Sequence, residues 1–191
     1  SHAAMRSIPK DDEYKNSEAI KYYKQTVELA ESIRATGIEF DMVSAGETFS
    51  YDMAPFVDGV TEVEGGMYAL MSTMLPYMES HFKYAAKVLG TVVSKPKDNL
   101  AVGDIGYRSI GSMLNMGHPF LEGHNGVEFS SMHEETCLLT SKGEMPLNLG
   151  DKFMLRCPQQ DLTVNRYDNY IAVRNGAVEQ VISIPGRGCH N

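Results

Sequence analysis

Three short stretches of this sequence bring together residue types that could do chemistry. SAGET, Ser44 to Thr48, and EGGMY, Glu64 to Tyr68, each set glycine beside hydroxyl or other small groups after a run with strand character. Successive small residues expose backbone N–H groups, which cradle a phosphate where they lead into a helix. In a β/α barrel, paired loops at the strand ends are the usual phosphate site. The same glycines also suit plain tight turns, and local sequence leaves both readings open. The third stretch is QQD, Gln159 to Asp161. Residues i and i+2 of an extended segment share a face, so Gln159 and Asp161 are expected to reach one cation together. A carboxylate and an amide oxygen are hard donors, suited to magnesium, calcium or manganese rather than zinc. A solvated turn is the alternative.

Other chemistry finds little support. None of the six histidines stands in zinc-ligand spacing with another histidine or a cysteine. His118 and His124 flank a Pro/Gly loop, and His133 precedes Glu134 and Glu135, which reads as surface or structural histidine. GxSxG, HExxH and P-loop patterns do not occur. No residue is assigned a catalytic role.

The elements that must position these stretches follow from periodicity. Ile20, Tyr23, Val27, Ala30 and Ile33 recur at helical steps, which predicts a helix from Ser17 to Thr36, stopped by Gly37. IEFDMV reads as a short strand before SAGET. GMYALMSTMLPYM reads as a helix weakened by Pro76. Beyond Lys83 come strand-like pieces bounded by Gly, Asn, Asp and Pro: AAKVLGTVVSK, NLAVGDIGY, GVEFSSM, ETCLLTS, DKFMLRC, LTVNRYD and YIAVRNGAVEQVISI. Asn175-Gly176 between two alternating runs signals a hairpin, since a type I′ turn needs positive φ at both central residues. The expected organisation is an α/β part over 1–82 and a β part over 83–191, as two lobes.

Composition bounds the partners. The 191 residues carry a formal net charge of −8 and no Lys/Arg cluster, which argues against nucleic acid. No apolar run approaches membrane-span length. Cys137, Cys157 and Cys189 lie far apart, the pattern of reduced thiols in a cytoplasmic protein. Position 1 is serine, which suggests either a cloning remnant or a chain that starts inside a longer protein.

Taken in order, a series of stretches resembles the D-threonine aldolase and D-serine dehydratase family of pyridoxal-phosphate (PLP) enzymes. VSAGETFS at Val43 to Ser50 is similar to the family's phosphate loop VSxGSTPT, and TEVEGGMY at Thr61 to Tyr68 to its TELRxGNY. TVVSKP at Thr91 to Pro96 and DIGYR at Asp104 to Arg108 resemble TVVSRP and D-A-G-x-K. HEETC at His133 to Cys137, PQQDLTVNRYD at Pro158 to Asp168 and GRG at Gly186 to Gly188 continue the series.

The resemblance implies the last β/α units of an alanine-racemase-like TIM barrel followed by a mostly antiparallel β domain. It implies PLP held by Ser44, Gly46, Thr48, Gly65, Gly66, Met67 and Tyr68. It also implies a divalent metal (Mg, Mn, Ca or Zn) at Gln159 and Asp161, where the family has a histidine and, two residues on, a cysteine or aspartate. Glu47, Met67 and Arg108 depart from the family's small hydroxyl residue, asparagine and lysine. No lysine occupies the Schiff-base position, which is expected on a barrel half or subunit upstream of Ser1; SHAA is faintly similar to the family's GHSY or GHAY, with Ala4 in the tyrosine position. The expected function is thus the C-terminal portion or subunit of a PLP-dependent lyase, an aldolase or dehydratase acting on β-hydroxy D-amino acids, in an oligomer. The alternatives are a non-catalytic structural or regulatory subunit, or a PLP-dependent racemase.

Overall fold

The computed structural model describes residues 12–75, 78–111 and 119–189; SHAA and His118 lie outside them. The chain divides into two compact units, Ser1–Tyr68 and Ala69–Asn191, so the division falls before the expected 82/83.

The first unit is built on helix α1, Asp12–Arg34. Its expected inner face forms: Ala19, Tyr23 and Ala30 are buried, and Ile20 and Val27 pack beside Ala54 and Val57. Ile33, expected on that face, is 36% exposed. The strand expected in IEFDMV is reduced to one parallel bridge, Ser44 with Glu62. Around it, Ala45 donates to the Glu62 carbonyl (3.1 Å) and Thr61 to the Val43 carbonyl (3.0 Å). A parallel strand is stable when flanked by others, and this one has a single partner of two residues. The 3₁₀ turns Tyr51–Phe56 and Met67–Ala69 complete the unit.

The second unit is a six-stranded antiparallel sheet. Its strands are β1 Lys87–Lys97, β2 Leu100–Gly103, β3 Phe120–Leu121, β4 Val127–Met132, β5 Cys137–Ser141 and β6 Lys152–Arg156. Their order is β3-β6-β1-β2-β5-β4, and the end strands β3 and β4 touch, so the sheet nearly closes into a barrel. Alternation puts Val88, Val92, Ala101, Cys137, Leu139, Phe153 and Leu155 inside, as period-2 patterning requires. Gly90 and Gly103 exist to admit Phe153, whose ring fills the place a Cβ would take at either glycine.

Two expected elements differ. The described residues of GMYALMSTMLPYM, which exclude Pro76, do not form an α-helix: Met71 adopts a left-handed φ of 63°. The segment instead bonds to the sheet unit, Thr73 N–H to the Cys157 carbonyl (3.3 Å) and Ala85 N–H to the Leu70 carbonyl (3.0 Å). Burial of Met71, Ser72, Leu75 and Met78 overrides helix propensity there. LTVNRYD is not a strand but contains most of helix α3, Gln160–Val164, which packs near α2, Tyr107–Ile110. Gln160 and Thr163, three apart, are its buried residues, and the Thr163 hydroxyl donates to the Ile110 carbonyl (2.8 Å). The Asn175-Gly176 hairpin forms as read, with φ of 51° and 79° joining β7 Asn169–Arg174 to β8 Ala177–Ser183. That hairpin is a separate two-stranded sheet whose Ile171, Val173, Val178 and Val181 are exposed.

Candidate functional site

The two small-residue loops meet in the first unit. The Ser44–Glu62 bridge aligns the stretches that lead into them, as adjacent barrel strands would. They are then tied directly, because the Met67 N–H donates to the Thr48 hydroxyl oxygen over 2.9 Å. Thr48 is buried, and with its oxygen accepting, its O–H remains a donor. Ser44 Oγ is buried and has no hydrogen-bond partner. Such a hydroxyl is costly unless something completes it. Gly46 sits at φ +89°, and a Cβ there would overlap the Tyr23 hydroxyl. A Cβ at Gly65 would overlap the Tyr68 ring, whereas Gly66 faces open space. The Tyr68 ring lies 5.2 Å from that of Tyr51.

Converging small residues, a hydroxyl in want of a partner and a turn that favours glycine are features that would suit an anion. Glu47 is the residue that argues against it, since a carboxylate facing a phosphate would repel it. The sequence pattern missed Tyr23 as anything but a core residue. Its OH lies 2.9 Å from the Ser50 carbonyl and 2.7 Å from Ser50 Oγ. Burial, the largest influence, raises its pKa above the ordinary 10.0, so it stays a neutral phenol.

The expected metal pair straddles the start of a helix. Gln159 is the extended N-cap of α3 (φ −140°, ψ 104°), and Asp161 lies in the first turn of that helix. The premise of one extended segment therefore fails. Gln159 Oε1 is buried without a hydrogen-bond partner, whereas Asp161 is exposed. Ligands of a hard cation must all lie within about 2.0–2.6 Å of it, and several are needed. Among the described residues no group of three His, Cys, Asp or Glu side chains could hold a metal ion. The donor set of this segment does not fit a divalent metal.

The remaining polar residues have structural roles. His133 N–H donates to the Thr136 carbonyl (2.8 Å), and its own carbonyl accepts from Tyr107 N–H (2.9 Å), which docks the HEET turn on α2. Arg108 pairs with Glu135 at 2.9 Å on the surface. Glu122 is clamped by Lys87 (2.7 Å) and Arg156 (3.0 Å).

A family model described as a putative serine dehydratase domain matches residues 85–173. The match lies within the second unit. A 3-hydroxy-D-aspartate aldolase from Paracoccus denitrificans (strain Pd 1222) is 29% identical over 173 residues, 86% of this chain and 44% of the relative. The crystal structure of D-threonine aldolase from Filomicrobium marinum superposes with a TM-score of 0.83 at 24% identity, over 94% of this chain and 49% of that one. An alanine-racemase-like protein from Idiomarina loihiensis superposes with a TM-score of 0.65 at 16% identity, over 88% of this chain and 51% of that one. The chain thus has the fold of part of an alanine-racemase-like enzyme and spans about half the length of the proteins it matches. In the serine dehydratase family domain, the β sheet and the α3 segment carry the match, and the two-loop cradle precedes it.

Proposed function

We propose that this chain supplies the phosphate-binding loops and β domain of a PLP-dependent lyase acting on β-hydroxy D-amino acids. A barrel half bearing the cofactor-linking lysine, on an upstream segment or a separate chain, would complete the enzyme. The observation that carries the reading is the tie between Thr48 and Met67, which joins two glycine loops beside the unsatisfied Ser44 hydroxyl. The names of the relatives, an aldolase of 3-hydroxy-D-aspartate and a D-threonine aldolase, supply the substrate class.

Ser44 and Thr48 would hold the cofactor phosphate through their hydroxyls, with Gly46, Gly65, Gly66 and Met67 giving close backbone approach and Tyr68 walling the second loop. PLP, when bound, supplies the electron sink that makes cleavage of a bond to the substrate Cα accessible. The chain's own part is to anchor the phosphate end and so fix the plane in which the substrate is presented. Breaking Cα–Cβ, with the hydroxyl giving up its proton and Cα taking one from solvent, gives glycine and an aldehyde. Loss of the hydroxyl as water gives, after hydrolysis, a 2-oxo acid and ammonia. No step is routed through a metal, because among the described residues no group of three His, Cys, Asp or Glu side chains could hold one.

The test is the complete assembly, purified through a tag on this chain. It should be yellow and should release aldehyde or 2-oxo acid from D-threonine or 3-hydroxy-D-aspartate. An assembly that carries no PLP ends this reading. A second reading is a non-catalytic subunit, favoured by Glu47 in the phosphate loop and by the divergent metal pair. In that case loss of this chain changes assembly while its partner keeps full turnover.

A further inference from the structure

We propose that Tyr23, on the helix beneath the two loops, is a positioning residue that sets the anion-binding shape of the first loop. The inference rests on the PLP reading above and adds to it a residue that lies outside both loops.

Tyr23 is 2% exposed on the inner face of α1, where its neighbours Ile20, Val27, Ala54 and Val57 are apolar. Packing alone would be served by phenylalanine; the hydroxyl is the part that needs explaining. It meets Ser50 twice, at the carbonyl oxygen (2.9 Å) and at Oγ (2.7 Å). Since the phenol has one proton, the carbonyl accepts it and the Ser50 hydroxyl donates back to the phenol oxygen. Ser50 closes the first loop, its N–H donating to the Glu47 carbonyl at 3.0 Å. The same hydroxyl occupies the space where a Cβ at Gly46 would lie. The hydroxyl therefore holds the Ser50 end of the Gly46–Ser50 turn and lies against its Gly46 end, and Thr48, between them, binds the second loop through Met67. Moving the hydroxyl would loosen the turn at two points while leaving the apolar contacts of the ring in place.

The experiment titrates the chain with PLP, following bound cofactor by fluorescence and by the ³¹P resonance of its phosphate. Tyr23→Phe is expected to weaken PLP binding about tenfold, the scale of one lost buried hydrogen bond, and to move the bound ³¹P signal toward that of free PLP. Its affinity for pyridoxal, which lacks the phosphate, should change less than about twofold, within the scatter of independent effects. Gly46→Ala should cost less affinity in the Tyr23→Phe background than alone, since removing the hydroxyl relieves the overlap. Equal PLP affinity and an unchanged ³¹P signal in Tyr23→Phe overturn the proposal. So does an equal loss for PLP and pyridoxal, which marks a scaffold role only. If Tyr23→Phe does not fold, Ser50→Ala breaks the same contact at Oγ and is read in the same way. Wild-type protein that binds neither PLP nor inorganic phosphate removes the underlying reading itself, an outcome distinct from both.

Discussion

The Met67 N–H donates to Thr48 Oγ1 over 2.9 Å, and this single bond joins two loops that are 19 residues apart in sequence. Its replacement gives the first prediction. Thr48→Val keeps the shape and removes the acceptor of this part-buried hydrogen bond. A loss of about 1–3 kcal/mol in folding stability is expected, with PLP or phosphate affinity falling as well. Thr48→Ser should retain most of both. Urea denaturation and a ligand titration on the same samples decide the matter; a silent Thr48→Val would show that the tie is incidental.

Phe153 fills the space beside two glycines. Gly103→Ala must push against its ring and against Cys137 Sγ, both buried. Overpacking of this kind costs about 1–3 kcal/mol. Phe153→Leu added to Gly103→Ala should recover part of that loss, although alone it destabilises by opening a void. Simple additivity in chemical denaturation would contradict the fit described here.

Acid should release the Glu122 clamp. Burial, the largest influence, acts to raise the Glu122 pKa, but the bonds from Lys87 and Arg156 outweigh it and bring it below the ordinary 4.5. A depressed carboxylate contributes stability that is present above its unfolded pKa and is lost as pH falls through the folded one. The melting temperature should therefore drop on the acid side of pH 4.5 more steeply in wild type than in Glu122→Gln. The partners are about 25–30% exposed, so the difference is small and shrinks with salt.

Thiol reactivity should be ordered. Cys137 is buried in the sheet core, and burial raises its thiol to about 11. Cys157 is buried and raised for the same reason, whereas Cys189 is exposed. Titration with a disulfide reagent at pH 8 should modify Cys189 rapidly and the other two only on unfolding, because the thiolate is the reacting form. Rapid modification of all three in native protein would mean the sheet unit opens freely.

Metal should be dispensable. Chelation with EDTA is expected to leave the melting temperature unchanged, and calorimetric titration with manganese should show no stoichiometric site. Gln159→His restores a better donor but leaves its partner Asp161 exposed on the first turn of α3. Tight binding of manganese by wild-type protein, lost in Asp161→Asn, would restore Gln159 and Asp161 as a metal pair.

Much of the sheet was legible because its signal is local. Val88, Val92, Leu139 and Leu155 alternate with less buried neighbours, and Asn175-Gly176 has backbone angles few other pairs accept. The failures were tertiary. Helix α3 depends on Thr163 reaching the Ile110 carbonyl, a partner 53 residues away that no window around QQD contains. Leu70 and Thr73 left their helical pattern to bond residues of the sheet unit. The cradle lay between: its glycines were visible, but Tyr23 looked like one more apolar position of α1. The useful hint was chemical type, since a hydroxyl on a buried stripe asks for a partner.

The strand order also has a consequence in time. β6 lies beside β1, with Lys87 opposite Arg156, and β3 takes its ladder pairing from β6. β1 with β2 and β4 with β5 can pair early as hairpins and join through β2 and β5, but the other edge of β1 must wait until the chain has reached Arg156. Long-range pairings of this kind slow folding, because the loop must close before any contact repays the entropy. During that interval the growing sheet presents β1 as an open edge, and the rate at which β6 arrives decides between closure and association with another chain.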